Sequence, residues 1–217
     1  ISLFSFSGCV YFNTYYNAEK YFSTAREQQI RRLSSGSDTN VTVTENEKKL
    51  YTKSIEKCSK VLDVYAKNKK YVPLSILLLG EIYYWQAEYP AAIRKFNEFI
   101  TNNQEHKLLY RAFYYKGLTL MQQGDFTLAE KELERVAVES RSKSLKNRAR
   151  YMLAEIAMKR GSTYGALDEL KKLDGGGKAM SSLIHFKTGL LFFKQKDYDN
   201  AYKEFLLVEN VMQDADM

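Results

Sequence analysis

One small-to-large pattern recurs four times along this sequence, and that recurrence limits the fold more than any single motif does. Ala92, Ala129, Ala166 and Ala201 are each followed four positions later by a large apolar residue, at Phe96, Leu133, Leu170 and Phe205, and the alanines stand 37, 37 and 35 residues apart. Twelve residues before each alanine is Gly80, Gly117, Ala154 or Gly189, and three positions on from that come Tyr83, Leu120, Ala157 or Phe192. Spacings of three and four are those of one helix face. Each copy therefore reads as two helices, the alanine of the second seated against the small residue of the first. Between the two lie turn signals, at Gly124-Asp125, Gly161-Ser162 and Lys196-Asp197. Upstream, Tyr51, Ser54, Cys58 and Val61 fall in register with Tyr89, Ala92, Phe96 and Phe99, so a second-helix segment is predicted over about 45–67. Ala18, Phe22 and Ala25 predict another helix over about 11–33.

These features predict an all-α chain of about ten antiparallel helices. Residues 10–71 form an N-terminal helical pair with a mobile loop at about 34–44, and residues 72–213 hold four repeats. Gly175-Gly176-Gly177 reads as a breaker before the last copy. Other classes are excluded. Two cysteines, Cys9 and Cys58, cannot make a disulfide framework or a zinc site, and no apolar run reaches the roughly 18 residues of a spanning helix.

The small-large lock resembles the tetratricopeptide repeat (TPR), whose first helix carries glycine and an aromatic residue and whose second carries alanine and phenylalanine. The likeness covers about 72–213 and implies a right-handed α-solenoid. Two departures stand out. The period exceeds the family's 34 residues, and the bulky residue near the start of the first helix is Ile76 and Phe113 but then Arg150 and His185.

In a TPR array the first helices line an inner groove. The resemblance places there Leu77, Glu81 and Tyr84; Tyr114, Leu118 and Met121; Tyr151, Glu155 and Met158; and Phe186, Leu190 and Phe193. Tyr84, Tyr114, Leu118, Met121, Tyr151, Met158, Phe186 and Phe193 form the expected partner-binding set, an aromatic and methionine lining suited to peptides. Its few charges do not match the Lys/Asn/Arg carboxylate clamp of chaperone-binding TPRs. Arg111 and Arg148 are the cations placed to meet an acidic partner.

Ile1-Ser2-Leu3-Phe4-Ser5-Phe6-Ser7-Gly8-Cys9 is uncharged and reads as the tail of a signal sequence over residues 1–9. Phe6-Ser7-Gly8-Cys9 resembles a bacterial lipobox, with phenylalanine where leucine is usual. That likeness implies diacylglycerol on Cys9 and a lipid anchor. An aromatic run, Tyr11-Phe12-Asn13-Thr14-Tyr15-Tyr16, follows it. Together the lipobox, the aromatic first helix and the repeats resemble outer-membrane TPR lipoproteins, the BamD-like subunit of the β-barrel assembly machine among them. The resemblance implies a non-enzymatic scaffold on the periplasmic face of a bacterial outer membrane, with protein partners such as the barrel-assembly subunit. The alternative is an envelope TPR lipoprotein scaffolding a cell-wall, secretion or motility complex.

No catalytic residues, cofactor or metal are expected. Neither His106 nor His185 sits in a nucleophile motif, and there is no phosphate-cradling glycine loop. The chain is basic, with 33 Lys+Arg against 26 Asp+Glu. The cations are interleaved with acids, so nucleic acid is not an expected partner even at the most basic stretch, Arg141 to Arg150.

Overall fold

The computed structural model describes residues 7–34, 42–173 and 177–213, with side chains over 12–34, 42–173 and 181–208. Among the described residues there are ten helices: α1 Ser7–Ser34, α2 Glu45–Val64, α3 Tyr71–Trp85, α4 Tyr89–Asn102, α5 Leu109–Gln123, α6 Phe126–Glu139, α7 Lys143–Lys159, α8 Thr163–Lys171, α9 Gly177–Lys194 and α10 Tyr198–Gln213. The all-helical, TPR-like architecture is as expected. Helices form two compact units, Ile1–Gly124 and Asp125–Met217. Residues 1–6 of the signal-like segment, 35–41 of the expected loop, and Gly175 and Gly176 of the glycine breaker lie outside the described residues.

Local chemistry sets the helix ends. Thr44 and Glu47 form a reciprocal cap at the start of α2: the Glu47 N–H donates to Thr44 Oγ1 (3.3 Å) and the Thr44 N–H to Glu47 Oε2 (2.8 Å). Asp125, Ser142 and Ser162 each accept a backbone N–H at the starts of α6, α7 and α8. Arg32, in the last turn of α1, then reaches the Glu47 carboxylate with Nε and Nη2 (both 3.1 Å) and the Thr42 carbonyl (2.9 Å). It fixes the end of one helix to the beginning of the next.

The repeat is visible in the backbone. Ala87, Gly124, Gly161 and Lys196 all have left-handed φ, between 60° and 82°, and each stands five residues before a repeat alanine. In three of the turns the N–H of the following residue closes back onto the preceding helix: Glu88 onto the Tyr83 carbonyl, Ser162 onto Ala157 and Asp197 onto Phe192, at 2.8–3.0 Å. Only glycine takes such a φ without strain. A Cβ at Gly124 or Gly161 meets nothing within 4 Å, so conformation alone sets the cost of adding one. Gly161→Ala is therefore expected to lose about 1 kcal/mol, whereas Ala87→Gly relieves strain and raises the melting temperature. Differential scanning calorimetry of the two variants checks both signs.

All four repeat alanines are buried, three of them completely. Their partner differs from the expectation. A Cβ on Gly80 would lie 2.6 Å from Phe96 Cε1, and one on Gly189 would lie 2.5 Å from Phe205 Cε1. At Gly80 and Gly189 the nearest occupant of the notch is the aromatic ring four residues beyond the alanine. The polar departures at Arg150 and His185 are also explained. Arg150 Nη1 pairs with Glu169 Oε2 (3.3 Å), and His185 Nδ1 with Glu204 Oε2 (2.8 Å), so equivalent positions of two repeats exchange an apolar contact for a cross-helix polar one.

In the N-terminal unit, α1 packs on α2 and α3, α3 on α4, and α5 on both α3 and α4. Its core joins Ala18, Phe22 and Ala25 of α1 to Tyr51, Cys58 and Val61 of α2 and to Leu78, Leu79 and Ile82 of α3. Ser54, standing where later copies have alanine, is fully buried and donates to the Ala18 carbonyl (2.7 Å), which satisfies its hydroxyl. Burial pushes the Cys58 thiol up to about 12, making it an inert small hydrophobe. In the C-terminal unit the helices pack in chain order, and Ala154, Ala166, Leu167, Leu170 and Leu191 form a second core.

Candidate functional site

A groove of the N-terminal unit, about 630 Å3, is lined chiefly by the first helices α1, α3 and α5. That is a volume in the range of ligand-binding clefts. Its walls carry Phe12, Tyr15, Tyr16 and Phe22 from α1, with Tyr71, Leu74 and Leu77 from α3. Phe12 and Tyr16, one turn apart, are stacked with ring centres 5.7 Å apart, and both are more than half exposed. Two large rings left open to solvent on one helix face make a ready contact surface, because a ring has little torsional freedom to lose on binding. Tyr15 beneath them is buried, its ring 5.5 Å from Tyr71, its hydroxyl donating to Glu19 Oε1 (3.0 Å). Burial, and then the Glu19 charge, push this phenol far up, so it remains neutral.

Charge is placed around this aromatic wall. Glu81 on α3 is 1% exposed, and Arg111 on α5 grips it with both arms, Nε to Oε1 at 2.6 Å and Nη2 to Oε2 at 2.7 Å. Burial works against the Arg111 charge, but the Glu81 carboxylate outweighs it and holds the guanidinium above its usual range. Arg111 is thus already neutralised by a neighbour. Lys20, Arg26 and Lys70 also line the groove. The Arg26 guanidinium lies 5.4 Å from the Phe22 ring centre, and its buried Nε has no hydrogen-bond partner. The site offers apolar contact with a net positive rim, a binding surface for an extended or helical protein segment. Among the described residues, no group of three or more His, Cys, Asp or Glu side chains is placed to hold a metal ion.

The sequence-derived set falls elsewhere. Tyr84, Tyr114, Leu118 and Met121 belong to the N-terminal unit, yet none of them lines this groove. Tyr114, expected on an open lining, is 4% exposed, because α5 places its ring edge-on to Tyr115 (5.7 Å) in an aromatic stack that includes Tyr84. It packs. Tyr84 is half-buried among Trp85, Tyr89 and Tyr115. In the C-terminal unit, Tyr151 and Met158 are half-buried on α7, and Phe186 and Phe193 are exposed on α9. Met158 and Leu190 meet in a smaller groove between those helices. Cys9 lies within α1, and its side chain is outside the described residues. Of the groove residues, only Leu77, Glu81 and Arg111 were expected on a binding face, while Phe12, Tyr15, Tyr16 and Phe22 carried a signal only as first-helix residues. Phe12, Tyr16 and Arg26 were not read as groove residues, although the four-residue spacing of Phe12 and Tyr16 marks one helix face.

A tetratricopeptide-repeat family model matches residues 77–144 and 116–179, so that stretch carries TPR repeats. No curated protein matches the sequence. Among solved structures the chain is similar to MamA, at 18% identity and a TM-score of 0.60 over 82% of this chain and 98% of that one. It is similar also to MamA residues 41 to the end from Desulfovibrio magneticus RS-1, at 18% identity and a TM-score of 0.60, covering 91% of this chain and 98% of that one. A Podospora anserina protein with nearly identical TPR-like repeats aligns at 12% identity and a TM-score of 0.66, covering 91% of this chain and 95% of that one. These likenesses establish the fold.

Proposed function

We propose that this chain is a non-enzymatic scaffold that seats a segment of a partner protein in the α1–α3–α5 groove. It works tethered by a lipid on Cys9 to the periplasmic face of a bacterial outer membrane, in the assembly of β-barrel proteins. The carrying observation is the groove itself: exposed Phe12 and Tyr16 above a buried aromatic layer, with a positive rim whose Arg111 is internally paired. TPR repeats are protein-interaction modules, which supports the scaffold role. The lipobox-like Phe6-Ser7-Gly8-Cys9 run supports the anchor, and its resemblance to BamD-like lipoproteins supports the pathway. The two acyl chains of a diacylglycerol on Cys9 would hold far more firmly than a few surface lysines, since each buried methylene contributes about 0.8 kcal/mol.

A photoreactive phenylalanine introduced at Tyr16 is expected to crosslink, in the native envelope, to the barrel-forming subunit or an unfolded barrel precursor. The same probe at Tyr164, 81% exposed on α8, serves as the background. Labelling at Tyr16 no stronger than at Tyr164 removes the groove as the partner seat. Labelling of a cell-wall, secretion or motility component instead moves the scaffold to that machinery. Intact-mass measurement of membrane-extracted protein checks the anchor separately, an unmodified Cys9 thiol ruling it out.

A further inference from the structure

The C-terminal unit has a groove of its own, which the reading above leaves unused. It lies between α7 and α9, with a volume of about 350 Å3. Met158, Leu190 and Leu191 provide an apolar floor, and three lysines, Lys159, Lys187 and Lys194, stand around it with a single acid, Glu155. These lysines are not equivalent. Lys187 Nζ donates to Glu155 Oε1 (3.0 Å) and lies 5.9 Å from the Tyr151 ring centre, so it is held in place and its charge is matched. Lys159 sits 5.9 Å from the Phe126 ring centre, and Lys194 is exposed in the last turn of α9. Among the described residues neither is paired with a carboxylate.

Among the described residues, the groove therefore presents two ammonium groups with no carboxylate partner over an apolar floor. Along α9, Phe186 and Phe193 are also exposed, at 45% and 56%, but they pair with Phe205 and Tyr198 of α10 and do not line the groove. A wholly apolar partner would strip water from the lysines without replacing their hydration. A bare polyanion would leave Met158 and Leu190 uncovered. The complement of both features is a segment that carries carboxylates and apolar side chains together.

We propose that the α7–α9 groove is a docking site for an acidic, amphipathic segment of a partner protein. Its apolar side chains enter over Met158, Leu190 and Leu191, and its carboxylates meet Lys159 and Lys194. The proposal rests on the scaffold reading and adds the partner's chemistry at a second seat.

The test uses the full chain and a short fluorescent peptide alternating glutamate pairs with leucine and phenylalanine, followed by fluorescence anisotropy. Saturable binding is expected, weakening as salt is raised. It should fall at least about tenfold in the double variant Lys159→Glu/Lys194→Glu, and equally for a peptide with glutamine in place of glutamate. A charge-matched variant on the second helices, Lys131→Glu/Lys203→Glu, should bind like the parent, since neither residue lines the groove. Circular dichroism melting of both variants separates lost binding from lost fold. Absence of binding overturns the proposal, as does equal binding of the glutamine peptide or equal weakening by the two variants. Displacement of the peptide by a single-stranded oligonucleotide also overturns it, because the seat would then be a general anion site. Failure here with Tyr16 crosslinking intact removes only this second seat. Failure of the crosslink with peptide binding intact removes only the α1–α3–α5 reading.

Discussion

Arg111→Ala is expected to destabilise the protein by about 2–3 kcal/mol, far more than loss of an ordinary surface ion pair. The asymmetry of burial is the reason. Glu81 is 1% exposed, whereas the Arg111 side chain is 42% exposed. Deleting the guanidinium leaves a carboxylate inside the α3–α5 wall with its counter-charge gone and both oxygens stripped of their short donors. Breaking a fully buried pair in this way costs about 3–5 kcal/mol, and the exposure of Arg111, which lets water reach the gap, lowers that figure. For a chain of this size the melting temperature should fall by about 4–12 °C. The companion variant Arg111→Ala/Glu81→Leu removes both charges and should recover much of the loss. A single-variant cost below about 0.5 kcal/mol would mean that the pair behaves as a surface contact, and the groove would lose its fixed floor. The pair also explains why Arg111 is a poor ligand for an acidic partner. Two of its nitrogens already donate to Glu81, and its charge is matched there.

The repeat positions were legible because they are enforced by sterics that leave a compositional trace. A helix that must approach another closely needs glycine or alanine, and Gly80, Ala92, Ala129, Ala154 and Ala166 each record that demand one residue at a time. The turns were read where glycine advertised a left-handed φ, at Gly124 and Gly161. Ala87 was not read as a turn residue, because alanine carries no turn chemistry and its φ of 60° is imposed by the helices on either side. The main groove was less legible still. Its outer wall is α1, which lies upstream of the repeats and has no copy of the glycine notch to set a register, so Phe12 and Tyr16 had no counterpart to be compared with. Tyr114 shows the converse limit. Repeat register places it on the same helix face as Tyr151, but exposure depends on the neighbours, and the crowding of Tyr84 and Tyr115 buries it.

Phe96→Ala should be the most damaging single change in the N-terminal unit, at about 3–5 kcal/mol, since the ring is completely buried and its loss opens a cavity beside Gly80. Gly80→Ala probes the same contact from the other side. Two effects compete there. Alanine in a helix interior is favoured over glycine by about 1 kcal/mol, but its Cβ would fall 2.6 Å from Phe96 Cε1 and 2.8 Å from Cδ1, closer than carbon atoms approach. The ring is completely buried and cannot move without displacing its neighbours, so overpacking, typically about 1–3 kcal/mol, outweighs the gain in propensity. The two positions should therefore be coupled. Replacing Phe96 by Leu makes room for the new methyl, and Gly80→Ala/Phe96→Leu should cost less than its single changes added together, by about 0.5–3 kcal/mol. The same cycle at Gly189 and Phe205, where a Cβ would come within 2.5 Å, should give the same sign in the C-terminal unit. Strict additivity in chemical denaturation at both sites would mean the rings do not seat on the glycines. Coupling at one site alone would mean that the notch is a local accident and not the device that joins each pair of helices.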